Sequence, residues 1–115
     1  MNNESKVEDD MMMHQFLSSW NETAKEVHQN AVKKGFWDAK RNQGEILALI
    51  HSEVSEALEE LRKPQAEGQK VAEELADVVI RVMDYAVGYQ YDVGKALLDK
   101  MEKNRWRPPK HGKAF

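Results

Sequence analysis

The sequence predicts an all-α protein, an antiparallel bundle of about four helices. Apolar residues recur at helical spacing through most of the chain, and no stretch alternates apolar and polar residues for long enough to make a strand. The breaks between periodic stretches are also short, which favours antiparallel neighbours. Met13, Phe16, Leu17, Trp20, Ala24, Val27 and Ala31 mark a first helix, and Gly35 stands where a C-terminal cap belongs. Asp38 or Asn42 can cap a second helix carrying Ile46, Leu47, Ile50, Val54, Ala57, Leu58 and Leu61. Pro64 to Gly68 break the chain. A third helix carries Val71, Leu75, Val78, Val79, Val82, Met83 and Ala86 and is expected to fray near Gly88. Asp92 can cap a fourth, with Val93, Ala96, Leu97 and Met101, and Pro108-Pro109 forbid its continuation.

With 115 residues, the expectation is one helical domain over residues 12–115, preceded by a disordered acidic lead-in over 1–11. There is no cysteine, so disulfides and thiolate metal sites are excluded, and any metal must be held by oxygen or imidazole. No apolar run approaches the roughly 18 residues of a membrane span, and the start lacks the order of a signal peptide. A cytoplasmic location is expected. The formal net charge is −3, from 17 Lys and Arg against 20 Asp and Glu. Residues 1–10 already account for −3, whereas residues 100–115 carry +5, a basic end that invites an anion. Arg105-Trp106-Arg107 could contact nucleic acid, but a pI of about 5.8 argues against a dedicated nucleic-acid binder.

The residues that carry chemistry are two acidic pairs. Glu53 and Glu56 lie three apart on the second helix, and Glu74 and Asp77 lie three apart on the third. At about 100° per residue, each pair borders the core stripe of its helix on the same rotational side. In an antiparallel hairpin, like flank meets like flank, so all four carboxylates fall on one side of the seam. Their midpoint lies inside the Pro64 to Gly68 break, which places them level. Four carboxylates gathered this way repel one another by about 1 kcal/mol per close pair in water and up to ~4 at an effective dielectric of 20. A cation would offset that cost. Oxygen ligands point to Mg²⁺ or Mn²⁺, and a di-iron bundle would need Glu-x-x-His, which neither pair supplies.

Glu-x-x-Glu followed by Glu-x-x-Asp, within ALIHSEVSEALEEL and EELADVVIRVMDY, resembles the signature of the MazG-like, all-α nucleoside triphosphate pyrophosphohydrolases. The ending KMEKNRWRPPKHGKAF is similar to the Lys-x-x-x-Asn-x-x-Arg stretch and closing His-Gly-Lys of small members. The resemblance implies Mg²⁺-dependent cleavage between the α- and β-phosphates of a (deoxy)nucleoside triphosphate, releasing monophosphate and pyrophosphate, in nucleotide-pool housekeeping. It implies Glu53, Glu56, Glu74 and Asp77 as metal ligands, with Glu53 or Glu56 also the general base. Lys100 and Asn104 match positions facing the triphosphate, to which Arg105, Arg107 and Lys113 can add contacts. Trp37 and His28 match an aromatic and a histidine that hold the base in related deoxycytidine triphosphatases. Those relatives have Tyr where this chain has Arg81. A homo-oligomer, dimer or tetramer, is also implied. The alternative reading is an oligomeric helical nucleotide- or metal-binding regulatory module without turnover.

Overall fold

The computed structural model describes residues 3–115, the His111 side chain excepted. The described residues form four α-helices: α1 (Asn3–Lys33), α2 (Gln43–Arg62), α3 (Gly68–Tyr89) and α4 (Val93–Arg105). A 3₁₀ turn follows at Pro109–Gly112, and no strand occurs among these residues. The all-α reading is therefore correct. The helices group into two units, one formed by residues 23–91 and the other by the earlier part of α1 with Asp92–Phe115.

Within residues 23–91, α1 ends in a left-handed glycine cap. Gly35 has φ +87°, and the backbone N–H groups of Gly35 and Phe36 donate to the carbonyls of Val32 and Ala31. Of the two candidate caps for α2, the structure uses Asn42, whose side chain accepts from the Glu45 N–H at 3.2 Å. Lys63 turns extended ahead of Pro64 and ends that helix. α3 continues through Gly88 to Tyr89, one residue past the expected fraying point, and stops at Gln90 with φ 61°. The glycine serves a close approach: a Cβ at position 88 would lie 2.3 Å from the Trp37 ring.

α2 and α3 pack as an antiparallel hairpin. Arg81 meets Glu53, while Tyr85, further along α3, and Tyr91, just beyond its end, reach back to Gln43 at the start of α2. The buried apolar set is thin and small: Ala24, Ile46, Ala57, Met83 and Ala86. Val54, Leu58, Leu61 and Leu75 remain at least half exposed. The N-terminus of α2 is clamped by tyrosines, with Gln43 Oε1 accepting from the hydroxyls of Tyr85 (2.7 Å) and Tyr91 (2.8 Å) and the Arg41 carbonyl accepting from Tyr89. Burial first, and then Tyr91 beside it, push the Tyr85 hydroxyl upward, so it remains a donor.

In the other unit, α1 is helical from Asn3, so residues 3–11, expected as a disordered lead-in, are part of a helix; Met1 and Asn2 lie outside the described residues. The acidic residues that suggested disorder favour a helix N-terminus through its dipole, and neither Gly nor Pro interrupts the chain before Gly35. Trp20 packs on Gly94, where a Cβ would fall 2.9 Å from its Cδ1, and its ring lies 5.9 Å from that of Phe16. Asp92 caps α4 by accepting from the Lys95 N–H at 3.1 Å, and α4 stops at Arg105 ahead of Pro108.

Candidate active site

The antiparallel register brings the acidic pairs together. Glu53, Glu56 and Glu74 each offer a carboxylate oxygen within 4.8 Å of the others. Glu53 is buried, Glu74 half-buried and Glu56 exposed. Asp77 falls outside this triplet but lines the same cleft as Glu53 and Glu56. Asp77 thus stands a step away from the three carboxylates that converge.

The electrostatics of the triplet are those of a site short of positive charge. The negative charge of Glu53 is the main cause that raises the Glu56 carboxyl above its ordinary value, followed by partial loss of water and then the charge of Glu74. Glu74 Oε2 is buried and has no hydrogen-bond partner. A buried carboxylate oxygen without a donor is costly, because it has given up water for nothing. Hard oxygen ligands converging beside such an atom fit a divalent cation of the Mg²⁺ or Mn²⁺ class. One cation is already present in the form of a side chain: Arg81 Nε donates to Glu53 Oε1 at 2.6 Å.

From the carboxylates a cleft of about 380 Å³ runs to a second polar group. Its walls include Asp77, Ile80, Arg81 and Asp84 of α3, Val27, Asn30 and Ala31 of α1, and Phe36 and Arg41 of the connecting segment. Asp84 is the hub of the far end and is only 9% exposed. Its Oδ1 lies 2.8 Å from His28 Nδ1 and accepts from Trp37 Nε1 at 2.8 Å, while Arg41 Nη1 stands 3.7 Å from Oδ2. Arg41 also covers the Trp37 ring, 5.5 Å from its centroid.

His28 and Trp37, expected at the base, are thus brought together, their rings 5.1 Å apart and edge to face. Neither is among the residues lining the cleft; Phe36, 58% exposed, presents the aromatic ring there. Trp37 instead packs on Gly88 and Tyr89. The remaining candidates belong to the other unit. Lys100 and Asn104 are exposed on α4, Arg105 ends that helix 3.4 Å from Glu102, and Lys113 follows the 3₁₀ turn.

Sequence reasoning missed Asp84, Arg41, Asn30 and Phe36, and took Arg81 only as a departure from relatives. A signal for two of them was available. Glu74, Asp77, Arg81 and Asp84 follow one another at spacings of three, four and three, which puts all four on a single stripe of α3. Nothing in the local pattern distinguishes Asn30, Phe36 or Arg41, which reach the cleft only through the tertiary fold.

Comparison with known families gives a match to the MazG nucleotide pyrophosphohydrolase domain over residues 41–112, which takes in α2, α3 and α4. That is more than half of the chain, and the protein belongs to this family. Membership supports a hydrolase acting on nucleotides and a dependence on metal. Neither the curated proteins nor the solved structures yield a match. Among the described residues, no helix is long and apolar enough to cross a membrane.

Proposed function

We propose that the protein hydrolyses (deoxy)nucleoside triphosphates to the monophosphate and pyrophosphate in a Mg²⁺-dependent reaction, with Mn²⁺ an alternative ion, as a housekeeper of the cytoplasmic nucleotide pool. The observation that carries this is the convergence of Glu53, Glu56 and Glu74 within 4.8 Å beside the unpartnered Glu74 oxygen, in a chain of the MazG family. Glu53, Glu56, Glu74 and Asp77 would hold the cation. When bound, it would neutralise phosphate charge and make a coordinated water more acidic. Of the two candidate bases, Glu56 is the better placed to take a proton from water, since it is exposed and Glu53 is tied to Arg81.

At the Asp84 end, His28 and Trp37 are proposed to act on the base through the residues they hold: Asp84 fixes Arg41 at the cleft, and Phe36 offers a stacking face. Lys100, Asn104, Arg105 and Lys113 are assigned to the triphosphate, and the two units are read as one functional domain because the family match runs through both without a break.

A homo-oligomer, dimer or tetramer, is part of the same reading. Leu47, Val54, Leu58 and Leu61 share one stripe of α2, and Leu75 and Val79 share the matching stripe of α3, all exposed. At about 100° per residue, this stripe is rotated away from the carboxylates, on the opposite side of the buried residues. An apolar face of that extent is a mark of an association surface.

The test is a screen of common and modified nucleoside triphosphates for pyrophosphate release in the presence of Mg²⁺. Release of pyrophosphate together with monophosphate is expected. Binding of nucleotide without any release would leave the regulatory-module reading instead.

A further inference from the structure

We propose that Arg81 is an internal stand-in for the cation. Its guanidinium holds Glu53 while the carboxylate cluster is without metal, and passes to the phosphates of the triphosphate once Glu53 is used as a ligand. The inference rests on the metal-site reading above.

The contact between Arg81 Nε and Glu53 Oε1 joins a half-exposed cation to a nearly buried carboxylate, with side chains 37% and 11% exposed, at 2.6 Å. A charge-assisted bond this short engages a lone pair that a divalent ion would otherwise use. Metal binding to Glu53 must therefore compete with Arg81. The bond uses one of the guanidinium's five N–H donors, and the side chain lines the same cleft as Glu53, Glu56 and Asp77. An arginine released from Glu53 stays in that cleft, where a triphosphate brings anionic oxygens of the geometry a guanidinium recognises.

Two ligands are then coupled through one side chain. Metal alone breaks the Arg81–Glu53 pair and leaves the guanidinium without its partner. Metal with triphosphate gives it a new one. Each ligand must consequently strengthen the binding of the other by the same factor. A purely structural pairing predicts the reverse, since removing Arg81 would then loosen the cluster and weaken both.

The experiment titrates Mn²⁺ into the full chain and measures free Mn²⁺ by electron paramagnetic resonance, for wild type, Arg81→Gln and Arg81→Lys. Each is measured alone and with a triphosphate analogue carrying a methylene between the α- and β-phosphorus atoms. Because the analogue itself takes up Mn²⁺, the comparison is between proteins at equal total concentrations. Arg81→Gln is expected to bind Mn²⁺ alone about fivefold more tightly than wild type, the scale of a partly exposed ion pair. The gain in Mn²⁺ binding brought by the analogue should shrink by a similar factor. Arg81→Lys, which keeps the charge without the fork, should fall between. If circular dichroism shows Arg81→Gln unfolded, the lysine variant carries the test, and tighter Mn²⁺ binding than wild type supports the proposal. Unchanged or weaker Mn²⁺ affinity in the folded variants, with clear binding by wild type, overturns it and leaves the metal site standing. No Mn²⁺ binding by any of the proteins overturns the metal site and this proposal together.

Discussion

The carboxylate cluster and the Asp84 hub, at the two ends of the site, each hold a sheltered carboxylate, and the two are in opposite states. At one end, Glu74 Oε2 is buried with no partner beside two further carboxylates. At the other, Asp84 is met by His28, Trp37 and Arg41. Desolvation penalises both, but only Asp84 is compensated by the protein itself. The Asp84 end is thus complete as folded and serves to fix side chains. The Glu74 end is left uncompensated by the protein itself, which is what the proposed cation would offset, and its carboxylates are held together by the α2–α3 hairpin.

Removing the charge of one carboxylate at each end tests this difference directly. Glu74→Gln should lower turnover by more than about hundredfold, because a direct ligand is lost and even outer partners of metal ligands are worth ~10- to 100-fold. The same change should raise the melting temperature of the metal-free protein, since it removes charge from a crowded cluster. Steady-state kinetics and calorimetry on one preparation would check both. Wild-type turnover in Glu74→Gln would move the chemistry elsewhere.

Asp84→Ala should do the opposite at the far end. It leaves the Trp37 indole N–H and the His28 ring without their acceptor and takes a counter-charge from Arg41, at an expected cost of about 2 kcal/mol in stability. Chemical denaturation measures it. The Mn²⁺ affinity should stay within about twofold of wild type if the two ends are energetically separate, as distant sites without shared partners usually are. A stability change below about 0.5 kcal/mol would mean that Asp84 is not the hub its contacts suggest.

This contrast also explains how much could be read from the sequence. Helix positions followed from apolar spacing, and the meeting of Glu53, Glu56 and Glu74 followed from spacing plus antiparallel symmetry, because both are periodic properties of regular helices. The correct cap of α2 did not follow, as Asp38 and Asn42 are chemically alike and only the path of residues 34–42 decides between them. The helical start at Asn3 was hidden because acidic composition is shared by disordered tails and by helix N-termini. Trp37 was placed at the base by its offset from Glu53, yet its ring is taken up by Gly88, Tyr89 and Asp84, which depends on how one loop folds over α3. Gly88 carries that information once the structure is known. Read along the chain, it suggested only fraying.

Linkage to the cation separates the two ends further. Mg²⁺ should raise the melting temperature of wild type, by about 2.7 kcal/mol equivalent at a concentration one hundred times Kd, and should do so far less in Glu74→Gln. Asp84→Ala should keep the Mg²⁺ response, shifted to a lower baseline. Thermal scans across a Mg²⁺ series distinguish these cases, and an unchanged midpoint in wild type would count against a cation at the carboxylate end.

The smallest expected effect concerns Glu56 and pH. Its carboxyl titrates above the ordinary value of 4.5 in the folded chain, chiefly because Glu53 is beside it. A folded-state value raised above the unfolded one means that the folded protein binds this proton more tightly. The resulting stabilisation is fully present below 4.5 and is lost as pH rises through the folded value. At neutral pH and without metal, the charged Glu56 therefore opposes folding, and Glu56→Gln should melt slightly above wild type. That gap should close as pH is lowered toward 4.5, where wild type carries the proton itself. Saturating Mg²⁺ should reverse the order at neutral pH, because the charge that was a liability becomes a ligand. An order that ignored both pH and Mg²⁺ would show that Glu56 lies outside the cluster's electrostatics, and the proton acceptor would then have to be Glu53, released from Arg81.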